Sequence, residues 1–405
     1  MMIEAASLDV NLAGTRIGSI SRLDGDRSIF SFDDAYVQDE QRPVLSLAYK
    51  DSFGALINQP RAYQTRIEPF FSNLLPEGTL RDYLARRAGV KAVREYQLLG
   101  QLGVDLPGAV EVVPVGAEAI VEDDAGTSEA AKQTKHALRF SLAGVQLKFS
   151  AVKNQGKHGG LTIPVSGSGG DWIIKLPSSR HPDVPENEFA TMNLAAVLGI
   201  EVPETNLVSI DDVEGLPEGI IRYGTSAYAI RRFDRSPQGA VHIEDFAQVF
   251  GVFADEKYDN ASYRQILSVL AIETDERSVA EFIRRLTYSV LIGNGDMHLK
   301  NWSLVYPDGH HPTLSPAYDL VSTVPYIPEE ESALKFHRSK EWRSFNYDAL
   351  AIIADRAKVP SHLVVSTAKE TVERFDDVWI REKSNLPFSR ETLAAIEKHR
   401  KSLAV

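Results

Sequence analysis

The stretch IGNGDMHLKNWSLVYPDGHHPTLSPAYDL, residues 292–320, gathers side chains whose types and spacing could carry phosphoryl transfer. That chemistry needs a carboxylate to accept a hydroxyl proton. It also needs an amide oxygen and a second carboxylate to hold Mg²⁺ against nucleotide phosphates. Asp296 supplies the first carboxylate and Asn301 the amide, with four residues between them, and Asp319 lies beyond two strand-like pieces that flank a PDG turn. His298 and Lys300 share the polar loop, which follows a long apolar helical pattern ending at Gly293.

Protein kinases order these groups as Asp, four residues, Asn, a β-ribbon and a further Asp. The spacing alone is not distinctive, because Asp255 and Asn260 in DEKYDN repeat it. After Asn260 comes another helical stretch and no ribbon ending in an acid, so Asp255 would lack a metal partner. Upstream, Lys175 interrupts the apolar run DWIIKLP, where an unpaired ammonium is costly to desolvate. A nucleotide phosphate would supply a partner; a wet strand face is the alternative. Glu188, in the following helical stretch, could pair with Lys175, with Glu186 competing and a helix-dipole role as the plainer reading.

Two further segments point the same way. SLAGVQLKFS, residues 141–150, joins strand to strand through small residues that let backbone N–H groups approach phosphate oxygens, although it has one glycine, Gly144, and is no Walker sequence. YAIRRFDR, residues 228–235, ends a strand where main-chain groups could hydrogen-bond an adenine; otherwise Phe233 is core and the arginines are solvated.

These groups need a scaffold. Residues 1–115 mix strand-like runs (SLDVNL, PVLSLAY) with a helical stretch, NLLPEGTLRDYLARRAG. Residues 116–136 are small, acidic and polar, the composition of a solvated connector. From 137 to 235 strand patterns surround one helical stretch, VPENEFATMNLAAVLGI, and a glycine-rich loop spans 154–170. From 236 to 405 helical patterns dominate, at YRQILSVLAIE, SVAEFIRRLTYSVLIG, 347–358, 361–375 and 391–402. The expected architecture is α+β: a two-lobed protein-kinase-like fold, with a small β-rich N lobe and a helical C lobe, and an additional N-terminal mixed α/β domain.

Composition sets the outer bounds. The 405 residues suggest two or three packed units, at ~150 residues each. A formal charge of −12 disfavours wrapping of nucleic acid by the whole surface. The absence of cysteine removes disulfides, thiolate nucleophiles and Cys-type metal sites. No basic-then-apolar leader and no run of about 18 apolar residues occurs, so a soluble cytoplasmic protein without membrane contact is expected. His310 and His311 lack ligands at metal spacing, and no GxSxG elbow names a hydrolase nucleophile.

Together, SLAGVQLKFS, DWIIKLP, PENEFATMNLA, YAIRRFDR, HIEDFAQ and NGDMHLKNWSL followed by LSPAYDL resemble the HipA family of bacterial serine/threonine kinases, the toxins of HipBA toxin–antitoxin modules. PFFSNLLPEGTLRDYL resembles the family's N-terminal domain, so the likeness covers nearly the whole chain. It implies ATP and Mg²⁺ as cofactors, Asp296 as proton acceptor, and Asn301 and Asp319 as metal ligands. Ala143, Gly144, Val145, Gln146, Leu147 and Lys148 would form the phosphate loop, and Lys175 would contact the phosphates. The backbone of Arg231, Arg232 and Phe233 would face adenine, with Arg231 standing where some relatives carry an acid. His298, Leu299 and Lys300 would line the catalytic loop and nucleotide, and Tyr318 would flank the metal aspartate. The histidine follows the catalytic aspartate, unlike the HRD order of eukaryotic kinases.

Ser141 matches a serine that family members autophosphorylate, which displaces the phosphate loop; a doubly charged group there would act by repulsion. The resemblance further implies a protein substrate such as an aminoacyl-tRNA synthetase, growth arrest, and a HipB-like helix-turn-helix antitoxin that brings operator DNA. A small-molecule or lipid kinase, or a non-catalytic corepressor in a DNA-bound antitoxin complex, are the alternatives.

Overall fold

The structure is a computed structural model, and it describes residues 6–116, 148–153, 161–163, 170–177, 181, 183–216, 224–327 and 329–405. The expected connector 116–136, apart from Gly116, and Ser141 to Leu147 of the expected phosphate loop lie outside the described residues.

The N-terminal unit is built on a five-stranded antiparallel sheet. Its first strand, Ser7–Leu12, alternates so that Leu8, Val10 and Leu12 are buried, the period-2 pattern of a half-buried strand. A two-residue loop with Ala13 and Gly14 both at positive φ returns the chain into Thr15–Leu23, the hairpin geometry that suits strand twist. The expected strand at PVLSLAY is instead a short 3₁₀ turn, Leu47–Tyr49. The Ser46 hydroxyl accepts from the Ala48 amide at 3.1 Å, offering the backbone a local partner in place of a ladder.

A second sheet of six strands forms the N lobe, with Lys148–Lys153, Trp172–Lys175 and Ser226–Arg231 side by side at its centre and antiparallel. Its two faces belong to different cores. In Ser226–Arg231, Ala227 and Ala229 join the core of the N-terminal unit, whereas Tyr228 and Ile230 join the core of helix Val184–Val197 and the C lobe. The N-terminal unit therefore shares a continuous core with the N-lobe sheet.

The C lobe is helical around Glu276–Leu291, which packs against Ser361–Glu382. Asp275 caps the central helix by accepting from the Ser278 amide at 2.8 Å. Gly293, at φ +66°, follows its end, and an added Cβ would stand 2.7 Å from Val324. This position needs glycine twice over, for the left-handed turn and for the close approach of 323–324, whose amides both donate to the Gly293 carbonyl. The helix thus delivers residues 294–301 to the interlobe cleft. Next to it, a three-stranded sheet pairs His242–Asp245, Ser303–Tyr306 and Thr313–Leu314, the last two forming the ribbon expected between Asn301 and Asp319.

Candidate active site

Strand pairing sets Lys175 directly opposite Lys148 on one side and Tyr228 on the other. The following helix brings up Glu188, and Lys175 Nζ donates to its Oε1 at 2.5 Å; Glu188 rather than Glu186 takes the lysine. The same ammonium donates to Asp319 Oδ1. One cation therefore sits between two carboxylates in a largely buried site. Burial would raise the Asp319 carboxyl, but Lys175 and Lys148 outweigh it and hold it at about 2. Glu188 is the loser of the pair: burial pushes it up to about 7, against the pull of Lys175 and with a push from Asp319. Burial also lowers Lys148 to about 8, so an anion arriving near the two lysines would be favoured.

Asp319 sits at φ +54°, a conformation rare for a non-glycine residue. Its carbonyl accepts from Asn294 Nδ2 at 3.3 Å, while Asn294 Oδ1 accepts from the Asp296 amide at 3.0 Å. Asn294 is buried and so ties the two aspartates together from beneath. Sequence reasoning passed over it, although its place just after the helix-ending glycine was a usable signal.

Asp296 keeps 45% of its side chain open to solvent. Tyr258 donates its hydroxyl to Asp296 Oδ1 at 2.5 Å, and His298 Nε2 lies 3.8 Å from the same oxygen. Burial pushes His298 down to about 4, so the imidazole is neutral at pH 7, and its Nδ1 has no hydrogen-bond partner among the described residues. Asn301 donates from Nδ2 to the Asp296 carbonyl at 2.7 Å, which leaves its amide oxygen as the group available to a cation. Lys300 is buried and reaches the N-terminal unit: its ammonium donates to the Asn73 carbonyl at 2.7 Å and Oδ1 at 3.1 Å, and lies 3.5 Å from Glu77.

These groups line a cavity of about 300 Å³ between the lobes, shared with Lys148, Lys257, Asp245 and residues of the N-terminal unit. Ile173, Ile230, Phe233 and Val321 supply apolar walls. The Phe233 and Tyr318 rings lie 5.7 Å apart, and the Tyr318 hydroxyl donates to the Lys300 carbonyl at 3.0 Å.

The structure corrects two expectations and narrows a third. Arg231, Arg232 and Phe233 all line the cavity, but the amides of Arg231 and Arg232 are bonded to the carbonyls of Glu204 and Asp171 and are not free to donate to a ring there. The Arg232 guanidinium is neither solvated nor free for a nucleotide; it is 1% exposed and bonded to Asp234, at 2.7 and 2.9 Å, and Asp105 at 3.2 Å. Leu299 is fully buried in the C-lobe core and its side chain does not line the cavity. Asp255, the spacing decoy, faces away: it forms a bidentate pair with Arg66 at 2.9 Å on the surface.

Among the described residues no group of three or more His, Asp or Glu stands ready for a metal. The pair on offer, an ionised Asp319 and the Asn301 amide oxygen, nevertheless suits Mg²⁺. That ion takes hard oxygen donors and usually keeps several waters beside one or two protein ligands and substrate phosphates.

A small sheet-rich lobe over a helical lobe, with the cleft between them, defines a two-lobed protein-kinase-like fold of the α+β class. Residues 8–113 match the HipA N-terminal domain, and residues 140–379 match the HipA-like C-terminal domain. The chain belongs to the HipA family. It is 56% identical over 400 residues, 98% of this chain and 97% of the relative, to the Sinorhizobium fredii protein named "Putative kinase Y4dM". It is 28% identical over 373 residues to the "Serine/threonine-protein kinase toxin HipA" of Shewanella oneidensis, covering 83% of this chain and 82% of that one. Among solved structures, the fold matches a chain of the Shewanella oneidensis MR-1 complex of HipA, HipB and operator DNA with TM-score 0.70 and 24% identity, over 97% of this chain and 95% of that one. No helix among the described residues is long and apolar enough to cross a membrane.

Proposed function

We propose that the protein is an ATP-dependent serine/threonine kinase acting as the toxin of a toxin–antitoxin pair. The observation that carries this reading is the convergence of Lys175, Asp296, Asn301 and Asp319 on one cavity from three separate stretches of chain. Asp296, exposed and steadied by Tyr258, accepts the proton of the acceptor hydroxyl. Asn301 and Asp319 hold Mg²⁺, which when bound neutralises phosphate charge. Lys175 and Lys148 face the phosphates, and Glu188 fixes the Lys175 ammonium. Phe233, Tyr318 and the aliphatic walls enclose the base, and Arg231 lies at the cavity's edge.

The domain organisation proposed is 1–115 for the N-terminal domain, 116–136 for a linker, 137–235 for the N lobe and 236–405 for the C lobe. Ala143 to Lys148 form the phosphate loop, and Ser141 is the autophosphorylation site. A HipB-like antitoxin, which brings operator DNA, is the proposed partner; a protein such as an aminoacyl-tRNA synthetase is the substrate, and the compartment is the cytoplasm. Relatives named as kinases, and the HipA–HipB–DNA complex that shares the fold, support this reading.

The test is incubation of the full chain with γ-labelled ATP and Mg²⁺, alone and with a cell lysate, followed by phosphosite mapping. Label on Ser141 and on a lysate protein is expected, with Asp296→Gln inert. Label confined to metabolites or lipids would replace the protein-kinase reading, and no Mg²⁺-dependent ATP binding would end it.

A further inference from the structure

The N-terminal unit reaches the catalytic cleft at one acidic side chain. Glu77 occupies the N-cap of helix Gly78–Ala88, yet makes no capping bond with its side chain. Ser, Thr, Asp and Asn are the residues that normally cap, so a glutamate here is used elsewhere. Its carboxylate turns into the cleft, where Oε2 lies 2.8 Å from Lys257 Nζ and Oε1 lies 3.5 Å from Lys300 Nζ. The side chain is 13% exposed. Burial works to raise this carboxyl, but Lys300 and Lys257 overcome it and the group is held below its ordinary value.

Both lysines act on the catalytic loop. The Lys257 carbonyl accepts from the Leu299 amide at 3.4 Å, and its neighbour Tyr258 holds Asp296. Lys300 precedes Asn301, and its ammonium has Asp245 at 3.3 Å as its other acidic partner. Asn73, which supplies two acceptors to Lys300, in turn donates to the Val252 carbonyl at 2.7 Å. Other contacts dock the N-terminal unit without touching the loop: Arg66 with Asp255, Lys50 with Glu273, and Gln248 with the Phe70 carbonyl. Glu77 differs in that its two cations both border the proposed proton acceptor and metal amide.

We propose that Glu77 is a positioning residue for phosphoryl transfer, acting through Lys257 and Lys300, so that the chemistry depends on a carboxylate lying outside the two kinase lobes. The inference rests on the kinase reading. Removing the charge leaves the buried Lys257 ammonium short of a counter-ion and Lys300 with Asp245 as its acidic partner, and the loop relaxes toward other acceptors. Displacing a reacting group by about 1 Å costs roughly 100-fold in rate. Nucleotide affinity should change little, because the ion pairs of Glu77 are with Lys257 and Lys300 rather than with Lys175 or Lys148, and its charge reaches Lys148 only at longer range.

The test compares Glu77→Gln, Glu77→Asp and wild type as full-length chains, reading autophosphorylation from γ-labelled ATP, Mg·ATP affinity by calorimetry, and thermal midpoint. Glu77→Gln is expected to lower kcat ~10- to 100-fold with KM and affinity for Mg·ATP within ~3-fold of wild type. Glu77→Asp should recover part of the rate. Glu77→Gln combined with Lys257→Met should be no slower than the worse single variant, as expected when both act through one contact. An active wild type with an unimpaired Glu77→Gln, with losses that multiply in the double variant, or with a kcat loss that follows a fallen melting point, would overturn the inference alone. A wild type that binds Mg·ATP without transferring phosphate would remove the kinase reading and this inference with it.

Discussion

Lys175 and Asp319 stand 144 residues apart in the chain and in direct hydrogen-bond contact in the fold. The contact joins the N-lobe sheet to the segment that follows the C-lobe ribbon, and so closes the cleft across its middle. Glu188 shares the same ammonium. Two acids compete for one lysine, and the outcome is an Asp319 held ionised and a Glu188 raised by burial. A ligand that brings both a cation and an anionic phosphate would relieve this competition.

Asp319→Asn should therefore abolish Mg²⁺-dependent ATP binding, whereas Asp255→Asn should leave it within ~2-fold. The Asp255–Arg66 pair is 62% and 43% exposed, and such pairs contribute ~0–1 kcal/mol to stability. Calorimetric titration of both variants with and without Mg²⁺ decides; equal losses would show that the wrong aspartate has been placed at the metal.

Arg232→Ala should destabilise the chain by ~3–5 kcal/mol, because it leaves Asp105 and Asp234 buried with only Arg235 to balance them. Denaturant midpoints measure this. ATP affinity of the folded fraction should stay within a few-fold, which separates a lock between the N-terminal unit and the hinge from a nucleotide ligand.

Glu244 offers a pH test. Its carboxylate is buried and accepts from Ser46 at 2.5 Å and the Leu47 amide at 3.0 Å, and burial raises it from 4.5 to about 7. Between these values the folded state binds the proton more tightly than the unfolded state. Its contribution to stability is thus fully present below pH 4.5 and is lost as pH rises through 7. Glu244→Gln does not titrate, so its stability relative to wild type should improve from pH 5 to pH 8, by on the order of 3 kcal/mol. Chemical denaturation at the two pH values would show it; a pH-independent difference would place the proton elsewhere.

Leu299→Ala should cost ~2–5 kcal/mol through the cavity it opens under the catalytic loop. Any fall in rate should accompany that loss, with Mg·ATP affinity of the folded protein changed less than ~3-fold. A selective loss of nucleotide affinity, seen by calorimetry, would return Leu299 to the cavity wall.

Much of the local structure was legible because it is written in short-range periodicity. The offsets of Val279, Phe282, Ile283, Leu286 and Val290 predict the central helix, and all five are buried in it. The Asp296 to Asn301 spacing and the ribbon before Asp319 depend only on neighbours along the chain. PVLSLAY failed because a side-chain cap, invisible to periodicity, outcompeted the strand.

The sequence by itself determined which residues could do chemistry, the order of lobes, and the contrast between Asp296 and the Asp255 decoy. Tertiary structure alone decided that Glu188 rather than Glu186 meets Lys175, that Arg232 is a buried lock, and that Glu77 and Asn73 enter the cleft from the N-terminal unit. The physical reason is range. Backbone preferences act over a few residues, whereas an ion pair in a desolvated cleft is fixed by where distant elements pack, and no spacing in the chain encodes that distance.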